Sequence, residues 1–241
     1  MEKSVFIDLL HKAFEENGMG DLLSERSTNL LCDFADLLIE TNKHTNLTAI
    51  TDEEGVILKH FVDSAAVVAH LPENSSVLDV GCGAGFPSVP IAILREDVSV
   101  TALDSTGKKI NFVLTAKEKL GLYNLNATCA RAEEYVETAR ECFDVCTSRA
   151  VARLNVLSEL CIPFVKIDGL FVAMKSEKGS DEAKEAEGGI KKLGATPIKD
   201  FAYQLTFNGS KIDREIRIYR KTNCTPTQYP RKYAQIVKKP L

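Results

Sequence analysis

The 241-residue sequence has no tryptophan and no apolar run approaching the length that crosses a bilayer. Residues 1–18 set Glu2, Lys3, Asp8, Lys12 and Glu15 among the apolar positions. That mixture leaves no core for a secretory signal, so the expected location is the cytoplasm, with no membrane partner. Cys-x-x-Cys spacing is also missing. The seven cysteines are odd in number and scattered, which argues against a disulfide framework and against a structural metal site. What remains, 44% hydrophobic and 27% charged, is an ordinary globular composition long enough to bury a core without staples.

A net charge of −4 by itself argues against a nucleic-acid partner, but its distribution does not. No acidic residue follows Glu215, whereas Arg217, Arg220, Lys221, Arg231, Lys232, Lys238 and Lys239 all do. The basic end is therefore a candidate phosphate-contacting surface, with Arg231 and Lys232 as candidate substrate contacts. Pro226, Pro230 and Pro240 predict that this tail, 222–241, is extended.

Periodicity divides the rest. Val5, Phe6, Leu9, Leu10 and Phe14 recur at helical spacing, and so do Leu30, Leu31, Phe34, Leu37 and Leu38. Thr51-Asp52-Glu53-Glu54 has capping-box spacing and predicts a third helix that ends near Leu71-Pro72. These make a helical N-terminal extension, 1–72. From 73 to 221, short β-branched runs alternate with amphipathic stretches. The predicted strands begin with Val77–Val80, Val98–Leu103, Leu125–Cys129, Phe143–Thr147 and Leu170–Lys175. Such alternation implies a parallel sheet with helices on both faces. Helices are predicted from Pro87, over Lys108–Leu120, after Ala132, over Leu154–Val165 and over Asp181–Leu193. Two last strands, near Thr196–Leu205 and Glu215–Arg220, have no helix between them and should pair antiparallel at one edge.

Val77-Leu78-Asp79-Val80-Gly81-Cys82-Gly83-Ala84-Gly85-Phe86-Pro87 runs from a buried strand through glycines into a helix. Glycine lets the chain turn sharply and a ligand approach the backbone, so Gly81 and Gly83 are candidate ligand contacts. Asp104, at the end of the next strand, stands where a carboxylate accepts hydrogen bonds from ribose hydroxyls. Dinucleotide oxidoreductases share this logic. Methyl transfer is favoured because Asp79 suits the ammonium of a methionine moiety and would repel a pyrophosphate, and because Phe86 replaces the third fingerprint glycine. S-adenosyl-L-methionine is accordingly the expected cofactor.

Six ordered runs carry a wider resemblance. They are Asn46-Leu47-Thr48-Ala49-Ile50, Lys59-His60-Phe61-Val62-Asp63-Ser64, the Asp79–Pro87 loop, Leu103-Asp104-Ser105 with Lys108-Lys109, Arg131-Ala132-Glu133, and Ser148-Arg149-Ala150-Val151-Ala152. Together they resemble the bacterial guanine-nitrogen-7 methyltransferases of small-subunit (16S) ribosomal RNA, formerly called glucose-inhibited division protein B. The tail Tyr229-Pro230-Arg231-Lys232 looks like the Gram-positive branch. The resemblance implies a class I S-adenosylmethionine-dependent methyltransferase, Rossmann-like, with a mostly parallel sheet, an antiparallel edge and a helical N-terminal extension. It implies cofactor contacts at Gly81, Phe86, Ala132, Glu133 and Arg149. It also implies 16S rRNA, the small ribosomal subunit or its assembly precursor as partner, and the chain is expected to act as a monomer.

Guanine nitrogen-7 carries a lone pair and no proton, so its methylation needs no general base, and no catalytic group is assigned. Thr147-Ser148-Arg149-Ala150 stands where exocyclic-amine methyltransferases carry an acidic residue or Asn, two prolines and an aromatic. Cys146 would be the nucleophile of a carbon-5 cytosine enzyme but reads as a buried strand cysteine. His60 reads as a satisfied structural histidine. Arg149 suits a cofactor carboxylate, a phosphate or a guanine edge, and Lys108, Lys109 and Lys175 border the expected mouth. The alternatives are a non-catalytic ribosome-binding factor retaining a cofactor pocket, and a small-molecule methyltransferase.

Overall fold

The computed structural model describes residues 2–149, 152–176 and 179–241. Ala150 and Val151 of the Ser148–Ala152 run lie outside the described residues. The chain opens with α1 (Lys3–Glu16), which buries Phe6, Leu10, Ala13 and Phe14 at helical spacing. In α2 (Glu25–Thr45), Ser24 is the N-cap, and its hydroxyl and that of Ser27 satisfy each other's backbone N–H groups. Two short helices, α3 (Glu53–Gly55) and α4 (Asp63–Ala65), flank a π-helical segment, Val56–Val62. The capping box expected at Thr51 is displaced by one residue. Asp52 is the cap, and its carboxylate accepts from the Gly55 N–H at 2.7 Å.

The strand–helix alternation then follows: β1 (Ser76–Val80), α5 (Ser88–Leu94), β2 (Ser99–Asp104), α6 (Gly107–Leu120), β3 (Leu125–Cys129), α7 (Ala132–Ala139), β4 (Phe143–Arg149), α8 (Leu154–Cys161), β5 (Val165–Ser176), α9 (Gly179–Lys192), β6 (Ala195–Phe207) and β7 (Ser210–Lys221). The sheet order is β3-β2-β1-β4-β5-β7-β6. Pairing is parallel from β3 to β5 and antiparallel for β5–β7 and β6–β7. This is the Rossmann-like class I methyltransferase architecture, with its antiparallel edge where the missing helix placed it. β1 is covered on both faces, which is why Val77-Leu78-Asp79-Val80 reads as a continuous buried run.

Three local boundaries differ from expectation. Pro163 ends α8 early in a 3₁₀ turn, Ile162–Phe164, so β5 begins at Val165 instead of Leu170. The edge hairpin is longer than its apolar pattern. Asn208 and Gly209 have φ of 49° and 80°, the two-residue turn that matches strand twist, and the ladder runs back from Phe207–Ser210 to Ala195–Lys221. The tail is not extended throughout, because Tyr233–Lys238 forms α10, which buries Ile236.

The N-terminal helices pack where the site is built. Phe34 of α2 is buried, with ring centroids 5.4 Å from Phe86, 6.0 Å from Phe61 and 6.0 Å from Phe112. Apolar residues of α1 and α2 thus share one cluster with β1, β2, α5 and α6.

Candidate active site

After β1 the chain serves β2 and β3 on one side, and β4 and β5 lie on the other. The crevice at the carboxyl ends of β1 and β4 is therefore the topological switch point, the place where open α/β sheets bind ligands. Two cavities meet there, and Gly81 lines both.

Gly81 has φ 77°, and its N–H donates to the Leu103 carbonyl at 2.7 Å, so the turn is pinned against β2. A methyl group added at Gly83, φ 58°, would meet no atom within 4 Å, which leaves the loop backbone open to a ligand. Asp104 braces the loop from the other side. Its carboxylate accepts from Gly83 N–H at 3.1 Å and from Thr106 N–H at 2.8 Å, with the Lys109 ammonium at 3.7 Å. Asp104, Ala132 and Glu133 line one cavity, of about 300 Å³.

Asp79 lines neither cavity. It lies under the loop, fully buried, and one carboxylate oxygen accepts from both the hydroxyl and the N–H of Ser88. Its other oxygen, Oδ1, has no hydrogen-bond partner. Burial, only partly offset by Ser88 and the charge of Arg149, pushes its pKa up to about 7. A buried carboxylate with an orphaned oxygen beside an open glycine turn fits a ligand that brings a cation, as the ammonium of S-adenosylmethionine does. Because the folded pKa lies above the ordinary value of 3.8, the protonated acid favours the fold. That contribution is complete below about pH 4 and is lost as pH rises through about 7, on the order of 4 kcal/mol in all. The Asp79→Asn variant is expected to lose most of this slope. Urea midpoints of the ligand-free protein at pH 5 and pH 8 measure it, and parallel slopes for both proteins would contradict the assignment.

The second cavity, of about 340 Å³, is walled by an aromatic and cationic stack. The His60 and Phe86 rings lie parallel, 4.1 Å apart and 11° from coplanar, and the Arg149 guanidinium sits 5.3 Å from the Phe86 centroid. Arg149 donates to the Lys59 carbonyl at 2.8 Å and to Asp63 at 3.1 Å, and its Nη2 faces His60 Nδ1 at 3.2 Å. An acceptor at Nδ1 leaves the ring proton on Nε2, which is 3.0 Å from the Thr48 hydroxyl. Burial and the neighbouring Arg149 charge lower the His60 pKa to about 3, so the ring is neutral. Asp63 also accepts from Arg214 at 3.1 Å.

The sequence-predicted residues do not all come together. Gly81, Gly83, Phe86, Asp104, Ala132, Glu133 and Arg149 border the two cavities, and Asp79 stands beneath the loop between β1 and α5. Lys175 also lines the Arg149 cavity, but its ammonium is held by the Ala152 carbonyl and by Glu182, both at 2.8 Å. Arg231 is a correction. Its guanidinium and N–H bind Glu159, a fully buried carboxylate on α8, at 2.6–2.8 Å. Lys232 is exposed at the N-terminus of α10. Two more of the basic residues are not free for phosphate. Arg217 is buried between Asp200 and Glu215, and Lys221 is buried against Glu141 and Thr225. His60 and Asp63 stand inside a run that carries the family resemblance, although Asp63 drew no role from it. No local signal marked Arg214, because it arrives on the return strand of the edge hairpin.

A glycine turn at the switch point, a carboxylate at the end of β2 and an antiparallel β5–β7–β6 edge define a class I S-adenosylmethionine-dependent methyltransferase. The same fold occurs in the Burkholderia thailandensis 1,6-didemethyltoxoflavin-N1-methyltransferase, solved with bound 1,6-didemethyltoxoflavin and S-adenosylhomocysteine. That likeness has a TM-score of 0.54 and 17% identity and covers 79% of this chain and 90% of that one. The chain belongs to the GidB family, rRNA small subunit methyltransferase G, whose model matches residues 27–202. A relative of that name from Clostridium perfringens is 41% identical over 240 residues, covering 98% of this chain and 99% of the relative. Another, from Lysinibacillus sphaericus, is 42% identical over 236 residues, covering 96% of each. Among the described residues, no helix is long and apolar enough to cross a membrane.

Proposed function

We propose that this chain transfers the methyl group of S-adenosylmethionine to nitrogen-7 of a guanine in small-subunit (16S) ribosomal RNA. The observation that carries the reading is a reactive cavity whose titratable groups are already held by protein partners. His60 is neutral with both ring nitrogens engaged, Asp63 is claimed by Arg149 and Arg214, and Lys175 is paired with Glu182. Among the described residues such a cavity offers no unpaired base, which suits a ring nitrogen with a free lone pair and does not suit an amine that must lose a proton.

Asp104 would hold the ribose, Ala132 and Glu133 the adenine edge, the Gly81–Gly83 turn the chain between them, and Asp79 the ammonium. S-adenosylmethionine, when bound, supplies an electrophilic methyl on a sulfonium for in-line displacement. The residues' work is then to orient the base, and proximity supplies much of the rate. Arg149, held beside the stacked Phe86 and His60 rings in the cavity wall, brings guanidinium N–H groups to a site that suits a purine edge with two acceptors. A carbon-5 cytosine enzyme is disfavoured because burial, together with neighbouring Cys161, pushes the Cys146 thiol far up, away from the thiolate. Exposed Lys59 and Lys108, rather than Arg231, are the cations suited to phosphate. Lys59 adjoins His60, and Lys108 reaches the Thr45 carbonyl beside the cavity-lining Leu47.

The test uses labelled S-adenosylmethionine with deproteinised small-subunit RNA and with assembled subunits, followed by borohydride reduction and aniline scission, which cut at nitrogen-7-methylated guanine. Cleavage at a single guanine is expected. Label on cytosine or on an exocyclic amine refutes the base assignment, and cofactor binding without any transfer favours a non-catalytic ribosome-binding factor. Transfer should also fall steeply as salt rises from about 50 to about 200 mM, because phosphate contacts release counterions. Insensitivity to salt would point to a small-molecule substrate.

A further inference from the structure

The C-terminal segment reaches the cofactor cleft. The cavity that holds Asp104 and Glu133 is closed by Leu160 of α8 and by Tyr233, the first residue of α10. Tyr233 is 41% exposed. Its ring borders a slot that is apolar at Leu103 and Leu160, acidic at Asp104 and Glu133, and basic at Lys109 and Arg131. Apolar faces with polar edges are the chemistry of a purine nucleoside.

The segment is also pinned. Two residues before Tyr233, Arg231 binds the buried Glu159 through both its backbone N–H and its guanidinium. Arg140 donates to the Tyr229 carbonyl at 2.6 Å. On the far side, Ile236 is fully buried in the apolar cluster that holds Leu157 and Leu160. Anchors on both flanks hold the Tyr233 backbone in place before any ligand arrives, which lowers the ordering cost of binding.

We propose that the C-terminal segment is a wall of the cofactor cleft and that Tyr233 binds the adenosine end of S-adenosylmethionine. The proposal rests on the cofactor site described above and extends it to a part of the chain beyond 27–202, the residues that the family model matches.

The absence of tryptophan makes the test direct, because Tyr233→Trp introduces a single one. Its fluorescence should change saturably on titration with S-adenosylhomocysteine. In the control Tyr123→Trp, at a position 79% exposed and outside both cavities, it should not. By calorimetry, Tyr233→Ala should bind S-adenosylhomocysteine on the order of tenfold more weakly. 5′-Methylthioadenosine, which lacks the amino-acid end, should weaken by the same factor, while Tyr233→Phe stays near wild type and melting temperatures are unchanged. Wild-type affinity in Tyr233→Ala, or an equal response from both tryptophan positions, overturns the proposal. If the unmodified protein itself fails to bind S-adenosylhomocysteine, the cofactor assignment falls and the wall with it.

Discussion

Replacing Arg231 with methionine is expected to lower the stability of the fold by about 3 kcal/mol, because it strands the Glu159 carboxylate without its partner. Glu159 is fully buried, and Arg231 supplies two of its three hydrogen bonds from the side chain. The loss lies at the lower end of the range for a broken buried pair, since 23% of the Arg231 side chain meets solvent. In a chain of this length the melting temperature should fall by roughly 6–12 °C. Removing both charges, with Glu159→Met added, should restore most of the loss, because the cost lies in the uncompensated carboxylate and the surroundings are apolar. Thermal or urea unfolding of the single and double variants measures this. An RNA-contacting arginine gives the opposite result, with unchanged stability and weaker, less salt-sensitive RNA binding.

Gly81→Asp is expected to weaken S-adenosylhomocysteine binding more than 100-fold, beyond about 2.7 kcal/mol, while the protein remains folded. Gly81 lines both cavities, so a carboxylate added there stands beside the space that both halves of the cofactor must share. Its φ of 77° strains a substituted residue by about 1–2 kcal/mol, and aspartate is among the side chains that tolerate this region best. The fold should therefore survive with a modest fall in melting temperature. Calorimetric titration beside a melting curve separates the two effects. Retained affinity in a folded variant would mean that the cofactor does not pass over this turn, and the site would have to be moved.

The two results probe positions that differ in how readily the sequence discloses them. Gly81 announces itself, because a glycine between a buried strand and a helix is a local chain requirement that any neighbourhood of the same shape imposes. The same holds for Asp104 at its strand end and for the β-branched runs that pair in the order β3-β2-β1-β4-β5. Arg231 misleads for the converse reason. A cluster of positive charge shows that cations are present and says nothing of the carboxylate each will meet. That carboxylate, Glu159, is 72 residues away on a helix whose buried face the sequence pattern shows as apolar. The Asp63 hub was equally hidden. It gathers Arg149 and Arg214 from 86 and 151 residues along the chain, and one of them is delivered by an antiparallel return strand.

Taken alone, the sequence determined the layered α/β sheet, the glycine turn at its switch point and the carboxylate at the end of β2, because each follows from interactions within a few residues: alternation, steric freedom and strand-end position. Tertiary structure decided which charges are spent on the fold and which face the clefts. Placing a charge in a low-dielectric interior demands a partner, and only the packed chain brings that partner within hydrogen-bond distance.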